Sequence, residues 1–360
     1  MFQSSLQPTA RFVVVVVAHL GASMSAAKLP LDRLRVDLDL AAKLESRGCR
    51  TVEDALHRAP LDVVELADCS HARAREFLLD VARAVAPTPT TARNVLERTS
   101  LRLRTGVATL DDALGGGMRV GSLTEIVGKA GAGKTQLCLG ACACAAASAS
   151  DGGADGGVIY IDAERKFSGE RLIEIARGKF ATLRADETAA RALARRVQVI
   201  TPMSLSDLVK RLDALEEAII DHKVRLVIID SVAHLARGEF GRERVVQRQS
   251  ALGAAAATLK RHAEKHGLAV LAVNQVTTRI GSAARHASDE AGAGEGVGAE
   301  ESSGITAALG TKWAHCVNTR IALEVRDDRR SIKIVKSPIA PLTSFDYTIG
   351  AHGIECATKT

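Results

Sequence analysis

Aromatic residues are nearly missing from this 360-residue chain, which has one Trp, two Tyr and seven Phe, 3% in all. Its core must therefore rest on Ala, Val, Leu and Ile. With 46% hydrophobic and 25% charged residues the composition is that of a soluble globular protein, long enough for one large and one small domain. Paired cysteine ligands are missing too. The seven cysteines (Cys49, Cys69, Cys138, Cys142, Cys144, Cys316 and Cys356) include no C-x-x-C, which argues against a zinc ribbon, and they read as reduced thiols of an intracellular protein. Phe12–Leu20 (FVVVVVAHL) is strongly apolar but too short to span a bilayer, and no other segment could cross one. It has the outline of a secretory leader, but secretion conflicts with the chemistry argued below. Residues 1–23 therefore read as an extension before Met24 or as an organelle address, and no membrane association is expected. Neither sign of charge dominates. A net charge of +6 and a pI near 9.0 are compatible with a nucleic-acid partner and compel none.

Four stretches follow one another. Residues 1–27 are expected to be an extension without fixed structure. Residues 28–86 read as a small helical domain: Leu40, Leu44 and Val52–Leu56 carry helical spacing, and Ala72–Val85 places Phe77, Leu78, Val81 and Val85 on one face. Residues 87–104, opened by Pro87 and Pro89, read as a linker. Residues 105–360 alternate apolar runs with helical patterns: Leu123–Val127, Val158–Ile161, Val197–Ile200, Leu226–Ile229 and Leu268–Val273. Continuous Val/Ile/Leu strands separated by helices predict an α/β fold, a mainly parallel sheet covered on both faces. Ile321–Val325, Ser331–Val335 and Ser344–Ile349 follow without helices and read as an antiparallel extension, and Gly281–Gly304 reads as a loop.

The run Gly128-Lys129-Ala130-Gly131-Ala132-Gly133-Lys134-Thr135 fits G-x-x-x-x-G-K-[ST] at every position, after a strand and before a helix. Glycines let backbone N–H groups turn toward phosphate oxygens, and the helix adds its positive dipole end. Lys134 is expected to reach the β- and γ-phosphates of ATP, and the Thr135 hydroxyl to bind Mg²⁺. A dinucleotide site fails for want of a third glycine and a matching acid. Asp230 ends the apolar strand Leu226–Ile229 and is the second candidate ligand for Mg²⁺. Past Val158–Ile161, Glu164 is the candidate for polarising the attacking water, with Asp162 as an alternative or a turn residue. Asn274-Gln275 at the end of Leu268–Val273 supplies an amide, Gln275, suited to sensing the γ-phosphate.

These pieces, in this order, resemble the RecA/RadA strand-exchange family, from about residue 30 onward. Thr109-Leu110-Asp111-Asp112-Ala113-Leu114-Gly115-Gly116-Gly117 looks like the family's segment before its first core strand. Tyr160-Ile161-Asp162-Ala163-Glu164 looks like the stretch carrying its catalytic Glu, and Val273-Asn274-Gln275-Val276 like the strand with its sensor Gln. Ala308-Leu309-Gly310, Trp313, His315, Val317-Asn318-Thr319-Arg320 and Lys336-Ser337-Pro338-Ile339-Ala340-Pro341-Leu342-Thr343-Ser344-Phe345 resemble the eukaryotic recombinase paralogues, the B paralogue above all and the C paralogue next. The resemblance implies a RecA-like P-loop ATPase core and a nuclear role in homologous recombination. It further implies slow ATP hydrolysis through Lys134 and Glu164. The partners it implies are sister paralogues, especially the C paralogue, together with the main recombinase and single-stranded or branched DNA.

Two departures from the filament-forming members bear on that role. Where they carry Phe-x-x-Ala, this chain has Pro89-Thr90-Thr91-Ala92, so the aromatic anchor, worth ~2 kcal/mol or more, is gone. Between Val276 and Gly304, Arg279 and Arg285 stand against Asp289, Glu290, Glu295, Glu300 and Glu301, a balance of −3 that repels phosphate. The candidate DNA contacts are instead Arg237, Arg242, Arg244 and Arg248, set against Glu239 and Glu243 for a balance of +2. Lys336 stands where the main recombinases have an acid, and is expected either to alter a neighbour's ATP site or to cover a sheet edge. A self-sufficient strand-exchange ATPase and a hexameric motor are the alternative functions.

Overall fold

A computed structural model describes residues 28–86, 89–99, 101–239, 244–277, 306–307, 309–327 and 329–356. The expected N-terminal extension, Pro87, Arg242 and the expected loop Gly281–Gly304 lie outside them. The chain divides into two compact units at Ala92/Arg93. No helix among the described residues is long and apolar enough to cross a membrane.

The first unit is helical. Helices α1 (Leu38–Ser46), α2 (Val52–Leu56), α3 (Pro60–Ala67) and α4 (His71–Val85) start where the sequence supplies caps. The side chains of Asp37, Thr51 and Ser70 accept from Leu40, Asp54 and Arg73 N–H, and Pro60 opens α3. Leu40, Leu44, Val52, Val63, Phe77 and Val81 bury a shared apolar core. Helix α3 is too short for its apolar spacing to stand out from sequence. The stretch read as a linker contains α5 (Ala92–Thr99) and strand β1 (Arg102–Leu103), which pairs with β2 (Met118–Arg119) around α6 (Ala108–Ala113).

The second unit is built on one large sheet. Its parallel strands are β3 (Leu123–Gly128), β4 (Gly157–Asp162), β5 (Val197–Ile200), β6 (Val224–Asp230) and β7 (Ala269–Thr277). Then come β8 (Thr306–Ala307), β9 (Thr319–Arg326), β10 (Arg329–Lys336), β11 (Ser344–Gly350) and β12 (Gly353–Cys356). The spatial order is β12-β11-β10-β9-β3-β7-β6-β4-β5, with β8 against β7. Alternate residues of each central strand feed opposite faces. Val158, Tyr160, Ile228 and Leu271 pack with α7 (Lys134–Ala146) and α8 (Gly169–Lys179). Ile159, Ile161, Val227 and Ile229 pack on the other face, with residues of α11 (Leu205–Asp213) and α14 (Val245–His266). Between these lie α9 (Thr182–Ala185), α10 (Glu187–Arg195), α12 (Glu216–Asp221) and α13 (Val232–Glu239). Burial on both faces, worth roughly 1.5–3 kcal/mol per large aliphatic side chain, explains why these strands read as unbroken apolar runs.

One expectation is corrected. The strand over Ile321–Val325 does not belong to the antiparallel extension alone: β9 lies parallel to β3, Glu125 opposite Arg320, and the antiparallel run on that side begins with β10 and continues through β11 and β12. The reason is a helix, α15 (Gly310–Cys316), that supplies the crossover a parallel neighbour needs.

Candidate nucleotide site

Residues 129–133 turn the chain from β3 into α7, at the carboxyl ends of β4, β6 and β7 where an α/β sheet places its ligand. The glycines are required by geometry. A Cβ on Gly128 would lie 2.6 Å from the Leu323 carbonyl oxygen of β9. Gly131 (φ 76°) and Gly133 (φ 93°) adopt the left-handed region, and a Cβ on Gly133 would meet Ile349 at 2.7 Å. Lys134 Nζ donates to the carbonyls of Gly128 and Lys129, both at 2.8 Å. Burial pushes its pKa down, against the pull of Asp230 and Glu164. The antiparallel strands brace the loop: Arg330 of β10 donates to Gly131 O at 2.8 Å, and the Tyr347 hydroxyl of β11 donates to Ala132 O.

Asp230, at the end of β6, faces this loop. Its Oδ2 accepts from Thr135 Oγ1 at 2.7 Å and from Tyr160 Oη at 3.0 Å. Burial raises its pKa, and the two hydroxyl donors act against that rise. One hydroxyl and one carboxylate are hard oxygen donors that suit Mg²⁺, which keeps the rest of its shell from phosphates and water. No group of three or more His, Cys, Asp or Glu able to hold a metal occurs among the described residues.

Glu164 enters the same cleft, of about 450 Å³, with Lys134, Thr135, Asp230 and Gln275. Its Oε1 accepts from Ser231 Oγ at 2.6 Å and Gln275 Nε2 at 3.1 Å, and its Oε2 from Lys166 Nζ at 2.5 Å. Burial alone would raise its pKa, but the donors from Lys166 and Ser231 outweigh it and hold the carboxyl below its ordinary value. Asp162 accepts from the backbone N–H groups of Lys166 and Phe167, at 3.1 and 2.8 Å, and shapes the turn that aims Glu164. Of the expected DNA contacts, Arg237 turns toward this cleft, donating to Gln275 Oε1 and to Ala233 O of its own helix. Arg244 lies exposed at the start of α14 and Arg248 half-buried within it.

Several residues gain roles that sequence reading missed. Glu125, fully buried in β3, binds three donors from three elements. Asn274 Nδ2 of β7 and Trp313 Nε1 of α15 each lie 2.8 Å from Oε1, and Arg320 Nε of β9 lies 2.5 Å from Oε2. An acid inside an apolar strand was the available signal, since such a charge is kept only with partners. Asn274 thus serves the core, leaving Gln275 alone at the cleft. Within this chain Lys336 caps α15, donating to Ala314 O at 2.9 Å and Val317 O at 2.6 Å.

The sequence model of the Rad51 family matches residues 97–357. The human protein named DNA repair protein RAD51 homolog 2 is 36% identical over 90% of this chain and 88% of its own length. The Arabidopsis thaliana protein of that name is 34% identical over 86% of this chain and 85% of its own. The DNA repair and recombination protein RadA of Cenarchaeum symbiosum is 29% identical over 87% of this chain and 75% of its own. Likeness of that extent reaches beyond the phosphate loop and its answering acids into both compact units, and it means that this chain belongs to the Rad51 family, with particular resemblance to the RAD51 homolog 2 paralogue.

Proposed function

We propose that this chain is an ATP-binding subunit of a recombinase-paralogue assembly. It supports homologous recombination and double-strand break repair in the nucleus by helping the main recombinase load on single-stranded DNA, in company with sister paralogues and foremost the C paralogue. The observation that carries the reading is the convergence of Lys134, Thr135, Asp230, Glu164 and Gln275 on one cleft at the strand ends. Gly128–Gly133 and the start of α7 cradle the phosphates, and Lys134 neutralises their charge. Thr135 and Asp230 hold Mg²⁺, which when bound offsets charge on the β- and γ-oxygens. Glu164 orients the attacking water, and Gln275 reads the γ-phosphate. Hydrolysis is slow, and nucleotide orders the contacts with partners as much as it feeds chemistry. A second reading, autonomous strand exchange, draws on the same complete set of groups. Against it stand Pro89 in place of an aromatic anchor and the acidic balance of Val276–Gly304.

The experiment is Lys134→Ala with titration of a fluorescent ATP analogue. Loss of a charge-assisted contact worth about 1.5–3 kcal/mol predicts affinity lower by about ten- to a hundredfold. Unchanged affinity removes Lys134 from the phosphate site, and normal assembly and repair support by a mutant that no longer binds ATP removes ATP from the mechanism.

A further inference from the structure

Lys166 lines the phosphate cleft, yet neither the loop motif nor the strand-end acids call for it. Its ammonium lies 2.5 Å from Glu164 Oε2, while Oε1 is taken by Ser231 and Gln275. A glutamate that orients water must accept a hydrogen bond from that water. Oε1 already takes two donors, so Oε2 is the oxygen left for it, and Lys166 holds one of the two acceptor sites there. The donors are unequal. Ser231 is fully buried just past the end of β6 and Gln275 pairs with Gly128 near the end of β7, so the backbone of both neutral donors is anchored to central strands. The Lys166 side chain is 64% exposed, on a flexible stem, but its backbone is pinned by the hydrogen bond from its N–H to Asp162. The pinned turn keeps the ammonium beside Oε2, and a cation on a carboxylate outcompetes a neutral water donor.

Building on the hydrolytic reading above, we propose that Lys166 is a restraining residue acting through Glu164: its ammonium competes with the attacking water at Oε2, the one carboxylate oxygen with room for it, so turnover is faster while the Lys166–Glu164 pair is open. The rate is thereby held down two residues past the acid, while nucleotide affinity stays with the loop and Lys134. No residue outside the turn has to change for hydrolysis to be slow, and any partner that draws the Lys166 ammonium away would speed it.

The test compares the full chain with its Lys166→Met variant in Mg²⁺-ATP hydrolysis, reading kcat and KM separately, with equilibrium binding of a fluorescent ATP analogue alongside. The variant is expected to raise kcat about tenfold, with KM and analogue affinity within about twofold. Lys166→Arg, which keeps the ion pair, is expected to stay at the wild-type rate. In a Glu164→Gln background Lys166→Met is expected to change nothing, because the group it acts through is gone. An unchanged or lower kcat for Lys166→Met, or an effect that moves KM instead, overturns the proposal. If wild type and variant both bind the analogue and neither releases phosphate, the hydrolytic reading falls and this proposal with it. Hydrolysis by the wild type without a gain in the variant overturns this proposal alone.

Discussion

A carboxylate in the middle of an apolar strand has to be matched atom for atom, and Glu125 is, by Asn274, Trp313 and Arg320. Glu125→Ala leaves the Arg320 charge largely buried and two N–H groups without an acceptor. Removing one partner of such a pair costs about 3–5 kcal/mol. Urea denaturation is expected to show a loss of that size, and a loss under about 1 kcal/mol would mean that Arg320 finds water instead. Tyr347 makes a smaller contribution. Its hydroxyl holds Ala132 O, so Tyr347→Phe is expected to lower stability by about 1 kcal/mol and to weaken nucleotide binding, both read by melting with and without ATP. The loop residues, Asp230, Glu164 and Gln275 were legible because their chemistry is tied to fixed positions after strands. Glu125, Tyr347 and Arg330 were not, because their partners lie 149 to 215 positions away and only the sheet order decides who meets whom, and Lys166 was not because the turn set by Asp162 decides where its side chain goes.

Helix α7 shows what an element must do to sit under the sheet. Apart from Leu137 and Leu139 its buried residues are mostly small, Ala and Cys, with Cys138, Cys142 and Cys144 all buried. Burial pushes the Cys144 thiol up to about 11, and Cys138 and Cys142 are raised further. Thiolate is the reactive form, so iodoacetamide at pH 8 is expected to spare these three in the native protein while labelling the half-buried Cys69. Peptide mass spectrometry reads the result, and equal labelling of α7 would mean that the helix opens readily. At the other end of the loop, Gly133→Ala forces a side chain into a left-handed φ and against Ile349. It is expected to abolish nucleotide binding while circular dichroism stays native. The long buried strands were legible from their apolar runs. The two-residue strands β1, β2 and β8 carry too little pattern to be seen, and the parallel placement of β9 depends on α15, whose signal was read as a family marker rather than as a crossover.

For the whole molecule, the account joins an intact nucleotide site to features that disfavour self-assembly. Family membership fixes the core, and membership alone does not decide between the proposed subunit and a self-sufficient strand-exchange enzyme. The proposed reading rests on two stretches: Pro89-Thr90-Thr91-Ala92 offers no aromatic anchor, and Val276–Gly304 carries net negative charge. Both differences were visible in sequence because anchoring and phosphate attraction depend on residue type more than on fold. The most direct measurement is the mass of the purified chain with ATP, Mg²⁺ and single-stranded DNA, alone and with the sister C paralogue. The account predicts a discrete complex that forms only with the sister. Long filaments formed by the chain alone would contradict it and make this protein a recombinase in its own right.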